Sequence, residues 1–223
     1  MTVKPFGDSA LLINFEQKID AVIHQKVIAL QQAIERAKIQ GILYYIPAYC
    51  SLTIGYDPRQ LNYNQLRNKI SQLPPISNKI LPSNNRKIFN IPVCYDAAYA
   101  LDMEEVMQQT GLSKSEIIHL HTSITFRVYM LGFLPGFVYM GKLPPALFCQ
   151  RKTTPRLKVP PQAIGIAGFQ TGIYPATAPG GWQIIGQTPI KTVDETKEQP
   201  FLFQAGDRVR FHEISETVFL AMR

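Results

Sequence analysis

Between residues 132 and 186 the chain concentrates nine of its 14 glycines and eight of its 17 prolines. No long helix survives that density, because proline removes a backbone donor and fixes φ, while glycine has the most conformational freedom to lose. The interval has to fold as short strands joined by turns, and its surroundings agree. Ile124, Phe126, Val128 and Met130 alternate with Thr125, Arg127 and Tyr129 at the period of a half-buried strand. Ala163–Phe169, Trp182–Gly186, Arg208–Ile214 and Thr217–Met222 read as further short strands, so residues 88–223 are predicted to form a β-barrel or sandwich.

The N-terminal part has a different pattern. Residues 9–16 read as a strand, and Ile19–Gln40 places apolar residues at helical spacing before Gly41. Ile42–Ile46 and Ser51–Tyr56 read as strands around Pro47, and Leu61–Leu73 as a helix stopped by Pro74 and Pro75. The order βαββα predicts a small ferredoxin-like α/β domain over residues 1–80 with its helices on one sheet face. Pro74–Lys87, rich in Pro, Ser and Asn, reads as a linker. After it, Ile88–Val93 is a predicted strand, Met103–Gln109 a helix ended by Gly111, and Ser113 with Glu116 a capping box opening a helix to about His121. The fold class is α+β, with residues 88–223 as the second domain.

Composition excludes several classes. At 46% hydrophobic and 17% charged, with no run of 18 apolar residues, the chain is neither a membrane span nor disordered. Residues 1–30 lack the basic and apolar regions of a leader, which predicts a cytoplasmic protein. Cys50, Cys94 and Cys149 form no C-x-x-C pair and read as free thiols.

The net charge of +7 is local. From Ile117 to Val193 there is no Asp or Glu, while Arg127, Lys142, Arg151, Lys152, Arg156, Lys158 and Lys191 all lie there. The remainder balances at 16 basic and 16 acidic residues. Either these cations decorate a solvated loop face, or they surround a rigid pocket for a small anion or carboxylate. Nucleic acid is disfavoured, because glycine and proline stand where a recognition helix or an aromatic pair would be needed. A segment without carboxylates supplies neither general acid/base pairs nor a Mg²⁺ site, so no metal is expected on this chain alone.

Most motif matches fail on mechanics. Gly136 to Leu143 approximates a phosphate loop, but its spacer is bulky, Leu143 has no hydroxyl, and Pro144 and Pro145 block the following helix. His119 and His121 are two apart and face differently on a helix, so they cannot chelate together. There is no G-x-S-x-G, and Cys149 has no histidine assigned to it. Gln170 and Thr171, between Gly168 and Gly172, would offer an amide and a hydroxyl to a carbonyl or carboxylate, with Arg156 as a bidentate cation. The competing reading is that these glycines only turn barrel corners.

The blocks Pro5–Leu12, Gly132–Tyr139, Pro155-Arg156, Gly168–Pro175, Pro179–Trp182, Ile185–Pro189 and Gly206–Phe211 occur in order along nearly the whole chain. Together they resemble the family that contains the B component of bacterial 5-oxoprolinase, the kinase inhibitor KipI and subunit 1 of allophanate hydrolase, the carboxyltransferase subdomains C and D. Ala178 stands where that pattern has serine, and Gln187 where it has arginine, which removes a charge. The resemblance implies a cyclophilin-like β-barrel after the N-terminal domain, and partner subunits A and C. It also implies ATP-dependent opening of 5-oxoproline to glutamate, with ATP and Mg²⁺ belonging to the complex and this chain inactive alone. His121, Arg156 and Gln170 are then the expected catalytic contacts. Phe133, Pro135, Gly136, Thr171, Gly172, Tyr174, Gly180 and Trp182 are the expected substrate-binding residues. Alternatives within the same resemblance are inhibition of a sensor histidine kinase and a urea amidolyase-type reaction.

Overall fold

The structure is a computed structural model and describes residues 1–74 and 88–223. The chain divides into two units, Met1–Asn85 and Arg86–Arg223. The linker read over Pro74–Lys87 lies, apart from Pro74, outside the described residues.

In the first unit, alternation sets the sheet. Strands β1 (Thr2–Pro5), β2 (Ala10–Asn14), β3 (Ile42–Pro47) and β4 (Ser51–Tyr56) form an antiparallel sheet in the order β1-β2-β4-β3. Leu11, Ile13, Leu52 and Ile54 point to one face. There they meet Val27, Leu30 and Ile34 of helix α1 (Ala21–Arg36) and Leu66 and Ile70 of α2 (Tyr63–Ser71). Asp20 starts α1 by accepting from the amides of Val22 and Ile23, and Asn62 with Gln65 forms a capping box on α2. The sequence reading missed β1, an edge strand that ends at a proline, where no ladder donor is needed.

The second unit starts with β5 (Ile88–Val93) and helices α3 (Met103–Thr110) and α4 (Lys114–Thr122). Gly111 closes α3 at φ 72°, and Ser113 and Glu116 cap α4 reciprocally. Strands β6 (Thr125–Leu131), β7 (Val138–Gly141), β8 (Arg156–Val159), β9 (Ala163–Ala167), β10 (Gln170–Ile173), β11 (Ala178–Gly180), β12 (Gln183–Gln187) and β13 (Arg208–Glu213) follow, then α5 (Glu216–Ala221). Seven of the strands form one sheet in the order β12-β9-β10-β7-β6-β13-β5, parallel only between β13 and β5. Its two edges meet: Cys94, just past β5, exchanges both backbone hydrogen bonds with Gln187 at the end of β12, at 2.9 and 3.0 Å. Gly186 permits this closure, since a Cβ there would lie 2.7 Å from Val93 and 2.9 Å from the Cys94 carbonyl. Curling encloses an apolar interior that α3 and α4 also enter, with Val106, Ile117, Phe126, Val138, Ile166 and Phe211 among its residues. The two-stranded ribbon of β8 and β11 covers a second cluster on the opposite sheet face, including Phe137, Val159, Tyr174, Ala178 and Trp182.

Two strand readings change. Ala163–Phe169 is not one strand, because Gly168 takes φ 57° and turns β9 into β10. Thr217–Met222 is helical: Ser215 caps the Val218 amide, and within α5 only Phe219 is buried, so there is no alternating face for a sheet to cover. Among the described residues no helix is long and apolar enough to cross a membrane.

Candidate functional site

Strand β10 separates the expected site residues, because neighbouring side chains on a strand point to opposite faces. Thr171 faces the interior and is fully buried. Its hydroxyl donates to the Gly165 carbonyl at 3.2 Å and lies 3.0 Å from His121 Nε2. With that proton spent on Gly165, Thr171 Oγ1 accepts from Nε2–H, which leaves His121 Nδ1 to accept from the Tyr95 hydroxyl at 2.8 Å. His121 also stacks on Phe211 at 4.6 Å and has no exposed surface. Burial lowers its pKa from 6.5 to about 3, so it is neutral, and all its hydrogen-bonding capacity is used inside the fold. His121 and Thr171, expected as a catalytic and a substrate-binding residue, thus lie in a buried polar chain that ties α4 to β9 and β10.

Arg156, expected as a catalytic contact, lies in an ion-pair network. Its guanidinium donates to Asp102 Oδ1 at 2.6 Å, where Lys152 Nζ also donates at 2.9 Å. Asp102 Oδ2 accepts from the Ile184 amide at 2.9 Å, and Lys152 reaches Glu105 too. Glu105 in turn accepts from Gln183 at 2.7 Å, and its carboxyl is held below the ordinary range chiefly by its bond to Lys152. The acid-free interval of the sequence is thus not acid-free in space. Asp102 at the start of α3 and Glu105 within it neutralise two of its cations, and the arrangement fastens α3 to β8 and β12. Gln187 is similarly committed, donating to the Pro161 carbonyl at 2.7 Å.

The outer sheet face is aromatic. Phe137, fully buried, lies 4.6 Å from the Tyr139 ring, 4.8 Å from Tyr174 and 5.4 Å from Trp182, with Phe133 at 5.7 Å on its exposed side. Glycine makes room for these rings. A Cβ at Gly172 would lie 3.0 Å from the Phe137 ring and 2.8 Å from the Val138 carbonyl, and one at Gly180 would collide with the Tyr174 hydroxyl. Gly136 sits at φ 83° in the turn beside exposed Pro135, and a Cβ on it would collide with the Val193 side chain. Gly136, Gly172 and Gly180 therefore seat side chains of this fold. Burial pushes the Tyr174 phenol up to about 12, opposed by the Trp182 amide and by the charge of Arg151.

What remains open to solvent on this face is small and polar. Gln170 is half-buried, and its amide has no hydrogen-bond partner among the described residues. Tyr139 pairs with Gly172 across the ladder, which makes Gln170 its diagonal neighbour at about 7–8 Å. Arg151, exposed and without an ion-pair partner among the described residues, lies beside Gly181. Sequence reasoning did not choose Tyr139 or Arg151 as site residues, although Tyr139 lay in a motif block and Arg151 in the basic interval. Their signal was the face they share, which needs the register. Elsewhere, a shallow groove of about 600 Å³ runs along α4 past Lys114, His119 and Glu213. Among the described residues no group of three His, Cys, Asp or Glu could hold a metal ion.

Residues 1–203 match the family described as carboxyltransferase domain, subdomain C and D. The B component of the 5-oxoprolinase of Bacillus subtilis (strain 168) is 38% identical, with 99% of this chain and 96% of that protein aligned. The crystal structure of TTHA0988 superposes with a TM-score of 0.81 at 36% identity, covering 96% of this chain, which spans only 40% of that longer one. The urea carboxylase of Kluyveromyces lactis shares the fold at TM-score 0.78 and 19% identity, over 98% of this chain and 22% of that one. The ordered motif blocks, the family match and the full-length likeness agree: this chain belongs to the carboxyltransferase domain family, subdomain C and D.

Proposed function

We propose that this chain is the B component of an ATP-dependent 5-oxoprolinase, a hydrolase that opens the lactam of 5-oxoproline to give glutamate. The observation that carries the reading is the 38% identity to the corresponding Bacillus subtilis component along 99% of the chain. The outer face of the second unit supports it. A lactam is a cis amide, with carbonyl and N–H side by side on one edge. The Gln170 amide can donate to the first and accept from the second.

An unactivated amide resists water, which is why the reaction consumes ATP. Phosphoryl transfer to the lactam oxygen releases ADP, water adds to the ring carbon, the C–N bond breaks as nitrogen takes a proton, and a second water releases phosphate. This chain's part is to bind and orient the ring. Nucleotide and metal are assigned to partner subunits A and C, and no activity is expected from this chain alone. The two units are read as ferredoxin-like and cyclophilin-like, and the protein as cytoplasmic.

Coexpression with the partner subunits and an assay of ATP-dependent glutamate release tests the reading. Glutamate is expected from the complex and not from the chain alone, with kcat/KM lowered by about 10- to 100-fold in Gln170→Ala. An inactive wild-type complex would refute the reading. Biotin-dependent carboxylation of urea, or inhibition of a sensor histidine kinase by the same preparation, would replace it.

A further inference from the structure

An anionic substrate needs a cation at its carboxylate, and the structure reduces the choices. Of the basic residues between Ile117 and Val193, Arg156 and Lys152 are held by Asp102 and Glu105. Freeing Arg156 would leave a carboxylate whose side chain is 3% exposed without a partner it now has. Lys142 lies over the Phe169 ring at 5.1 Å, packed against an aromatic face. Lys158 and Lys191 are exposed, as Arg151 is, but Arg151 is set apart by its place. It is exposed and has no ion-pair partner among the described residues, and its Nε lies 3.7 Å from the position of a Cβ on Gly181, next to Trp182. Its segment is fixed from behind, since the Lys152 amide donates to the Gly181 carbonyl at 2.8 Å. Its charge is felt by Tyr139 and by Tyr174, opposing in each the upward push that burial gives the phenol. Arg151 thus lies beside Gly181, next to the aromatic cluster that includes Trp182 and Tyr174, on the face to which the register also turns Tyr139 and Gln170.

We propose that Arg151, rather than Arg156, is the specificity-determining cation of this site, holding the carboxylate of a small cyclic amide whose ring edge meets Gln170. The inference rests on the 5-oxoprolinase reading and deepens it. Guanidinium pairs with carboxylate in a two-bond fork, and the acids that α3 brings nearby, Asp102 and Glu105, are already bonded to Arg156 and Lys152. Gly181 carries no side chain that would come between the arginine and the shelf. Arg156 is left with a structural task, fastening α3.

The test uses the assembled complex and two substrates, 5-oxoproline and 2-pyrrolidinone, the same lactam without the carboxylate. Wild type is expected to prefer 5-oxoproline. Arg151→Gln should raise KM for 5-oxoproline by about 10- to 100-fold, with a smaller change in kcat, and remove most of the preference over 2-pyrrolidinone. Arg151→Lys should recover part of the KM loss, because it keeps the charge without the fork. Since Arg151 is exposed, its variants should melt with wild type. Arg156→Gln should lower the melting temperature yet leave the preference intact. Turnover with unchanged KM and preference in Arg151→Gln overturns the inference and leaves the 5-oxoprolinase reading standing, as does loss of the preference in Arg156→Gln alone. A wild-type complex that releases no glutamate overturns both.

Discussion

Asp102 is the residue whose removal should do the most damage for its size. Its side chain, 3% exposed, accepts from Lys152 and Arg156 through one oxygen and from the Ile184 amide through the other. Asp102→Ala leaves the Ile184 N–H buried without that acceptor, which costs about 1–3 kcal/mol. It also leaves two cations without this partner, for which removal of one member of a buried pair costs about 3–5 kcal/mol. Lys152 and Arg156 keep some water, at 19% and 33% exposed, and Lys152 keeps Glu105, so the charge effect is discounted. The whole change is expected at about 3 kcal/mol, combining the lost amide acceptor with the discounted charge effect. At this chain length that is about 6–12 °C in melting temperature. Asp102→Asn keeps an acceptor for Ile184 and should lose about half as much. Calorimetry of the two variants beside wild type is the assay. A drop under about 2 °C for alanine, or equal drops for both, would refute the claim that α3 is fastened through this carboxylate.

Two other perturbations follow from the same structure. His121 is neutral in the fold with a pKa of about 3, whereas in the unfolded chain it titrates at 6.5. The native state gains its proton later, so this contribution is full above pH 6.5 and declines as pH falls toward 3, by about 1.4 kcal/mol per pH unit. His121→Gln should flatten the urea-midpoint profile between pH 6.5 and 5, and an unaltered slope would show that the ring is not desolvated. Gly172→Ala forces a methyl against the Val138 carbonyl and the Phe137 ring. It should cost about 1–3 kcal/mol in urea unfolding, and a neutral result would mean that the aromatic shelf is looser than its distances.

Local chemistry made much of the fold legible. Ser113 with Glu116, and Gly111, act at helix ends through neighbours a few residues away, so their roles can be read along the chain, whereas the helix read over Ile19–Gln40 included the Asp20 cap and ran past Arg36, where α1 ends. The alternation of Phe126 and Val128 reports a strand for the same reason. The site was less legible because its pairings are long-range. Asp102 meets Arg156 across 54 residues and His121 meets Thr171 across 50. An interval without acids says nothing about acids brought to it by α3. Gln170 and Thr171 were read as a pair because they adjoin in sequence, whereas the pleat sends them to opposite faces. Arg151 was passed over for Arg156 because the ion pair of Arg156 with Asp102 shows only in the folded structure.

Strand β10 carries a constraint on insertion and deletion. A one-residue change in the hairpin at Gly168 would invert β10, turning the threonine hydroxyl out toward water and driving a longer carboxamide into the space where that hydroxyl now meets His121 and the Gly165 carbonyl. Length at this hairpin should therefore be fixed more strictly than residue identity, so that drift in this lineage would be tolerated in side chains long before it is tolerated in spacing.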